Sequence, residues 1–250
     1  MQLLLFLINN ISTWVNWQIG VFYSLVITGL EIVARLVFPF GNLFKRDIIP
    51  TSSKHLEEFS ELDKMYVAFN KCITPIFTFH TIRYVWNSPS HLWKITELNL
   101  TNTIVSLITL FIIYEFFYYT FHRILHLKSI YPWVHKHHHR QISPTRGQND
   151  AVNVHPFEFV VGEYNHLFAI FLNPFDTHIF TVLIFIVGGG LLASLNHTRY
   201  NVFFNLGPFV LYDVKSHDIH HRYPTWNYGQ YTMFWDRLFV TFKNYEKIVD

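Results

Sequence analysis

The chain alternates long apolar runs with short polar stretches rich in basic and imidazole side chains. Its opening, MQLLLFLINN, has neither a positively charged start nor a small-residue cleavage site, so it does not read as a cleavable signal. From Trp14 to Phe38 the run is long enough to cross a bilayer, with Trp14 and Trp17 at one interface and Pro39 expected to end it. Glu31 and Arg35 fall inside this span at i, i+4 spacing and are expected to pair with each other. A polar connector over 41–64 holds Lys45, Arg46 and Lys54, with TSSKHLEE as the capping signal for the next helix. A weaker span over 65–86 carries Lys71, Pro75, His80 and Arg83, and NSPS then marks a turn.

The strongest helical signal covers 103–121, about 28 Å at the helical rise, close to the hydrocarbon thickness of a bilayer. Glu115 stands two turns before His122 and about 20° round from it, so both face one way. An acid inside a span is expensive and usually functional, and its expected role is to accept an imidazole N–H or a tyrosine hydroxyl. After a polar stretch over 122–158, a second apolar region covers 163–196 and is interrupted near Asn173 and Pro174. It reads as a helical hairpin that returns to its starting side, with Gly188, Gly189 and Gly190 allowing close helix approach.

Composition sharpens the picture: 50% of the 250 residues are apolar and only 14% are charged, against roughly a quarter in soluble domains. This is a membrane composition, and the expected fold is an all-α integral membrane protein of about four to five membrane helices carrying a cytoplasmic histidine-rich helical cap. Basic residues at 45–54 and 123–146 favour the cytoplasmic side, which places the amino end in the lumen. The net charge of +2 is scattered, so nucleic acid is not an expected partner. The single Cys72 excludes a disulfide framework and reads as a packing residue.

The chemistry gathers between His122 and His221, which hold 13 of the 16 histidines. HRILH supplies His122 and His126, HKHHHR supplies His135, His138 and His139, and HDIHH supplies His217, His220 and His221, with His197 in NHTRYN between the last two. On a helix, an i, i+4 pair is offset by about 40°, and the second and third histidines of H-x-x-H-H fall about −60° and +40° from the first, so all three project from one face. His137 then points about 200° away and is expected to face the opposite side. Imidazole without thiolate suits iron, zinc or copper more than magnesium or calcium, and nine ligands suit two ions sharing a pocket. His55, His80, His91, His166 and His178 read as ordinary packed histidines.

These boxes resemble those of the membrane-bound fatty acid hydroxylase and sterol desaturase superfamily, whose pattern is H-x3-H, H-x2-H-H and H-x2-H-H. The resemblance covers about 103–244 and includes Glu115, Tyr118 or Tyr119, the Tyr131 and HK lead-in, HPFE at 155–158 and YGQYTMFWDRLF at 228–239. Two positions depart from the pattern: residue 115 is Glu where Asp is usual, and Val240 stands where Gly is usual. The resemblance divides the chain into an anchor and connector over 1–100 and a hydroxylase-like catalytic domain over 101–250. It implies an endoplasmic reticulum, multi-pass, non-haem di-iron oxidoreductase that hydroxylates or desaturates a sterol or fatty acyl chain with dioxygen. Zinc is expected to replace the two irons on overexpression. Two electrons per turnover come from separate partners, a b-type cytochrome and its reductase. His155 and Asn201 are spare candidates for the metal or its surroundings, and Asp213, Asp218 and Asp236 are candidates to hold ligands from behind. The competing class is a metal-ion binding or transport protein, whose site would lie near the bilayer midplane on broken helices.

Overall fold

A computed structural model describes residues 16–51, 58–88, 97–206 and 209–245. Trp14, Lys54, His55 and His91 lie outside the described residues, as does most of TSSKHLEE. The fold is mostly helical: α1 (Asn16–Phe44), α2 (Glu61–Asn87), α3 (Ser106–Leu125), α4 (Gln148–Ala151), α5 (Pro156–Leu172), α6 (Ile179–Leu195), α7 (Val214–Arg222) and α8 (Phe234–Leu238). Among the described residues two helical stretches, Trp17–Phe44 and Thr101–Leu125, are long and apolar enough to cross a membrane, while α6 is apolar but shorter.

Helix α1 does not stop at Pro39. Proline removes one N–H and leaves the Arg35 carbonyl without its i+4 donor, yet the helix continues to Phe44 because its last turn is held by tertiary contacts. Gly41 lets the Tyr200 ring and Leu195 come close, and Phe44 meets Phe204 edge-on at 6.0 Å. Glu31 does not settle on Arg35: Lys71 of α2 reaches it at 2.7 Å. An i, i+4 pair on one helix contributes only about 0.3–0.5 kcal/mol, so a neighbouring helix that offers an ammonium readily displaces it.

Helix α2 begins with a capping box in which Asp63 Nα donates to Ser60 Oγ and the Asp63 carboxylate accepts from Ser60 Nα at 2.8 Å. The start is therefore Ser60, beyond the TSSKHLEE signal. Helix α3 is preceded by a π turn over Thr101–Val105. The expected hairpin is present as α5 and α6, and the chain between them is tied by Asn173 Nδ2 to Ser106 Oγ and Thr177 Oγ1, both at 2.8 Å.

The long helices pack in pairs, α3 on α5 and α6, α2 on α1 and α5, and α1 on α6. Their core includes Leu110, Tyr114, Ala169, Ile170, Phe185 and Leu195. Apolar side chains on the other faces, among them Leu25, Ile32, Ile108, Ile112, Leu183 and Ile184, are exposed, as suits a lipid-facing surface. The all-α expectation needs one correction: Phe203–Leu206 (β1) and Phe209–Asp213 (β2) form an antiparallel pair with a bulge after Phe204. Aromatic and β-branched residues concentrate there, and Tyr212 anchors the pair by donating its hydroxyl to the Leu192 carbonyl at 2.7 Å.

The departure at Val240 has a structural consequence. Its φ is +58°, a left-handed conformation in which a β-branched side chain is strained by about 1–2 kcal/mol. The residue is 82% exposed, so little packing is lost with its side chain. Val240→Gly is expected to raise the thermal midpoint by about 2–4 °C, the shift that a net gain of about 1 kcal/mol gives a chain of this size. A scan showing a lowered midpoint would contradict this account of the turn.

Candidate metal centre

Four separate stretches of chain deliver histidine to one end of the bundle. His122 lies in the last turn of α3 and His126 is its C-cap residue, one turn further on. His135 follows a run of mixed turns, in which His135 Nα donates to the Tyr131 carbonyl at 3.2 Å and Lys136 Nα to the same carbonyl at 2.8 Å. His138 and His139 open a short 3₁₀ turn that ends at Arg140. The second box is thus not the regular α-helix assumed from its spacing; Pro132 interrupts the backbone donors just before it. His197 follows α6 directly, and α7 carries His217, His220 and His221.

The nine imidazoles sort into two groups. His122, His126, His135, His139 and His220 form one, and His138, His197, His217 and His221 the other; within each, one ring nitrogen from every histidine lies within 4.8 Å of those of the others. Residues at i and i+4 stay together, as in 122/126, 135/139 and 217/221, whereas the i+3 residues His138 and His220 cross to the opposite group. On α7 the offset of about 100° between i+3 and i+4 separates His220 from His217 and His221, and the turns around the second box give His138 the same separation from His135 and His139. Each H-x-x-H-H box therefore spans both groups and does not serve one face alone.

Backbone carbonyls set the tautomers. Nδ1 of His122 donates to the Tyr228 carbonyl at 2.7 Å, of His220 to Trp226 at 2.7 Å, of His197 to Ala193 at 2.9 Å and of His221 to Gln141 at 2.9 Å. A carbonyl can only accept, so each Nε2 keeps a bare lone pair. These lone pairs point inward at other imidazoles: His122 Nε2 is 2.9 Å from His135 Nε2, and His197 Nε2 is 3.2 Å from His138 Nε2. Lone pairs converging this closely would fit a shared ion at the usual metal–nitrogen distance of about 2.1 Å. Burial first, and then the charge neighbouring imidazoles would carry, holds His135, His138, His139, His217, His220 and His221 far below the usual imidazole range. They stand as neutral rings, the form that ligates. The buried Nε2 of His126 has no hydrogen-bond partner, which also fits a site built for a cation. An all-nitrogen donor set excludes the oxygen-seeking calcium and magnesium and suits iron, zinc or copper.

The remaining candidates separate clearly. His137 turns away, with Nε2 2.9 Å from Asp63 Oδ1 and 2.9 Å from Asn153 Oδ1. His155 is not brought to either group: it caps α5, its Nδ1 accepting from Phe157 Nα at 3.2 Å, because the proline at 156 starts the helix there. Asn201 is buried and anchored through its backbone, donating to the Asp47 carbonyl at 3.1 Å and accepting from Arg46 Nα at 3.0 Å. Asp213 caps α7 by accepting from Lys215 Nα at 3.0 Å. Asp218 pairs with Arg199 at 2.7 Å and with Arg222, tying the third box to the chain after His197.

Glu115 does not hold an imidazole. Its carboxylate accepts from Gln230, Tyr231 and Thr232 Nα at 3.1, 2.8 and 3.3 Å, and Asp236 accepts from Tyr228 and Gly229 Nα at 2.8 and 2.7 Å. Together they fold 228–232 so that the Tyr228 carbonyl meets His122. Sequence reading passed over the acid that touches a ring of the two groups: Glu158 Oε1 is 2.8 Å from His135 Nδ1. HPFE was the available signal, since it sets this acid one turn into α5. Glu158→Gln weakens the acceptor without emptying the site and is expected to lower metal affinity about tenfold, within the usual 10–100-fold range for such partners. Competition with a chelator of known affinity measures it, and unchanged affinity would remove Glu158 from the centre.

An apolar cavity of about 640 Å³ abuts the centre, walled by α1, α2, α3, α5 and α6 and touching His122 and Glu158. The model of the fatty acid hydroxylase family matches residues 107–241, which include all nine histidines. Methylsterol monooxygenase 1 of Gallus gallus is 31% identical over 133 residues, 52% of this chain and 43% of that protein. Lathosterol oxidase of Homo sapiens is 30% identical over 141 residues, 56% of this chain and 46% of that protein. A Δ7-sterol-C5(6)-desaturase of Nicotiana tabacum is 25% identical over 207 residues, 80% of this chain and 70% of that protein. The chain thus spans less than half the length of the first two relatives. No solved structure matches it.

Proposed function

The chain belongs to the fatty acid hydroxylase family, and on that premise we propose that it is a membrane-bound di-iron oxygenase that hydroxylates or desaturates a sterol or fatty acyl chain. The observation that carries this reading is the pairing of two neutral histidine groups with an apolar cavity that reaches one of their members, His122. The nine histidines would hold two irons, which when bound supply dioxygen activation and removal of hydrogen from an unactivated carbon. The chain's own part is placement. Carbonyls and Glu158 fix the rings from behind, the cavity wall excludes water, and α1 and α3 keep the site at the membrane.

The basic residues at 45–46 and 123–146 support a cytoplasmic site, with a multi-pass chain in the endoplasmic reticulum and a lumenal amino end. A separate b-type cytochrome and its reductase would deliver the two electrons of each turnover. The division into an anchor over 1–100 and a catalytic domain over 101–250 is supported by the histidines, all nine of which follow residue 100. Metal transport is disfavoured because the groups sit at helix ends, held from behind, and not on broken helices at midplane.

Lipid profiling of a host expressing the chain, beside the same host expressing His135→Ala, tests the activity. A new alcohol or alkene should appear only with the unaltered chain. Elemental analysis of active protein should give two ions per chain, and one ion or none would overturn the di-iron reading.

A further inference from the structure

The cavity is polar at one end and apolar at the other. Its level in the bundle follows from contacts along α2: Asn70 Nδ2 donates to the Val152 and Val154 carbonyls at 2.8 and 2.9 Å, just ahead of Glu158, whereas Phe77 meets the Tyr164 ring further along α5 at 5.6 Å. Lys71 therefore lies at the histidine end, with Gln148, Glu158 and Gln230. Val85, Ile179, Val182 and Leu183 line the other end, about 21 Å away along α2. Of the polar groups between, Thr78 donates back to the Thr74 carbonyl at 2.9 Å, His166 lies under Tyr114 with ring centroids 4.3 Å apart, and Glu163 brings a carboxyl but no cation.

Among the described residues Lys71 is the one Lys or Arg in the cavity wall. A charge in this position is expensive and calls for a use. Glu31 takes one of its three N–H groups at 2.7 Å and holds the ammonium in place. The other two can donate to an oxygen.

We propose that Lys71, steadied by Glu31, holds the oxygen-bearing head of the lipid at the histidine end of the cavity, so that the oxidised carbon lies close to that head. This rests on the lipid-oxidation reading and adds an orientation to it. The reverse placement would leave a hydroxyl or carbonyl at the end lined by Val85 and Val182 with the Thr81 hydroxyl as its donor in place of an ammonium, a weaker partner for a group stripped of water. The body of the lipid then runs along α2, α5 and α6 toward Val85, Val182 and Leu183. Lys71 acts as a positioning residue.

Photoreactive lipids test this without turnover. Two 3-hydroxysterols, one with a diazirine beside the hydroxyl and one with it at the tail, would be cross-linked to the full chain in nanodiscs and mapped by peptide mass spectrometry. A pair of long-chain fatty alcohols with the diazirine near either end would run in parallel. Head probes should label 71–74 and 148–154, and tail probes 82–85 and 179–187. Lys71→Met should lower head labelling about tenfold, the effect of losing a hydrogen bond from a charged donor, and Lys71→Arg should restore most of it. Reversed labelling, no labelling of the cavity by either pair, or a Lys71→Met pattern identical to the unaltered chain would overturn the proposal. The expected pattern in a chain that forms no product would sink the oxygenase reading alone; product formed with reversed labelling would sink the orientation alone.

Discussion

His138→Ala and His139→Ala, neighbours in sequence, should each purify with one ion in place of two, and the missing ions should differ. His138 belongs with His197, His217 and His221, while His139 belongs with His122, His126, His135 and His220. Double substitutions separate the two sites by the usual non-additivity of partners that share one interaction. His138→Ala combined with His217→Ala should still hold one ion, whereas His138→Ala combined with His139→Ala should hold none. Turnover should fall by more than about 100-fold in each single variant, since even a residue behind a ligand costs 10–100-fold when removed. His137→Ala should keep both ions, because its ring is spent on Asp63 and Asn153. Elemental analysis and product formation at matched expression provide the comparison. Retention of one ion by the 138/139 double variant would show that the two-group division is wrong.

Glu115→Ala is expected to be the most damaging change outside the histidines. The carboxylate is 1% exposed and satisfies three backbone N–H groups and the Thr232 hydroxyl. Alanine would leave those donors buried and unpaired, at about 1–3 kcal/mol each, a large part of the stability of an ordinary domain. The turn at 228–232 would then lose its shape, and with it the carbonyl that orients His122. Poor accumulation and loss of metal are expected together. Glu115→Gln, which keeps one acceptor oxygen, should fall between the two. Full metal occupancy in a stable Glu115→Ala protein would show that the turn is held by other contacts.

The relation between Glu115 and His122 shows where sequence reasoning stops. Helical periodicity correctly put the two on one side of α3, but the acid's partners come from 230–232, more than a hundred residues later, and no local rule connects them. The same holds for Glu31, which local spacing assigns to Arg35 and the bundle assigns to Lys71. Helix α1 outlasts Pro39 because of contacts with Tyr200 and Phe204, and β1 and β2, which pair locally with each other, are anchored to the end of α6 by the Tyr212 hydroxyl on the Leu192 carbonyl.

The sequence by itself determined the apolar helices, the hairpin of α5 and α6 and the histidines to examine. It could do so because helical periodicity and imidazole chemistry are local properties, written in spacing and residue type. Only the tertiary structure decided which histidine joins which group, that Glu158 meets His135 while His155 caps a helix, and that Lys71 lies at the head of the cavity. Those facts depend on how separate segments meet at the end of a helical bundle, and a side chain's partner across such a junction is set by packing, not by its neighbours in the chain.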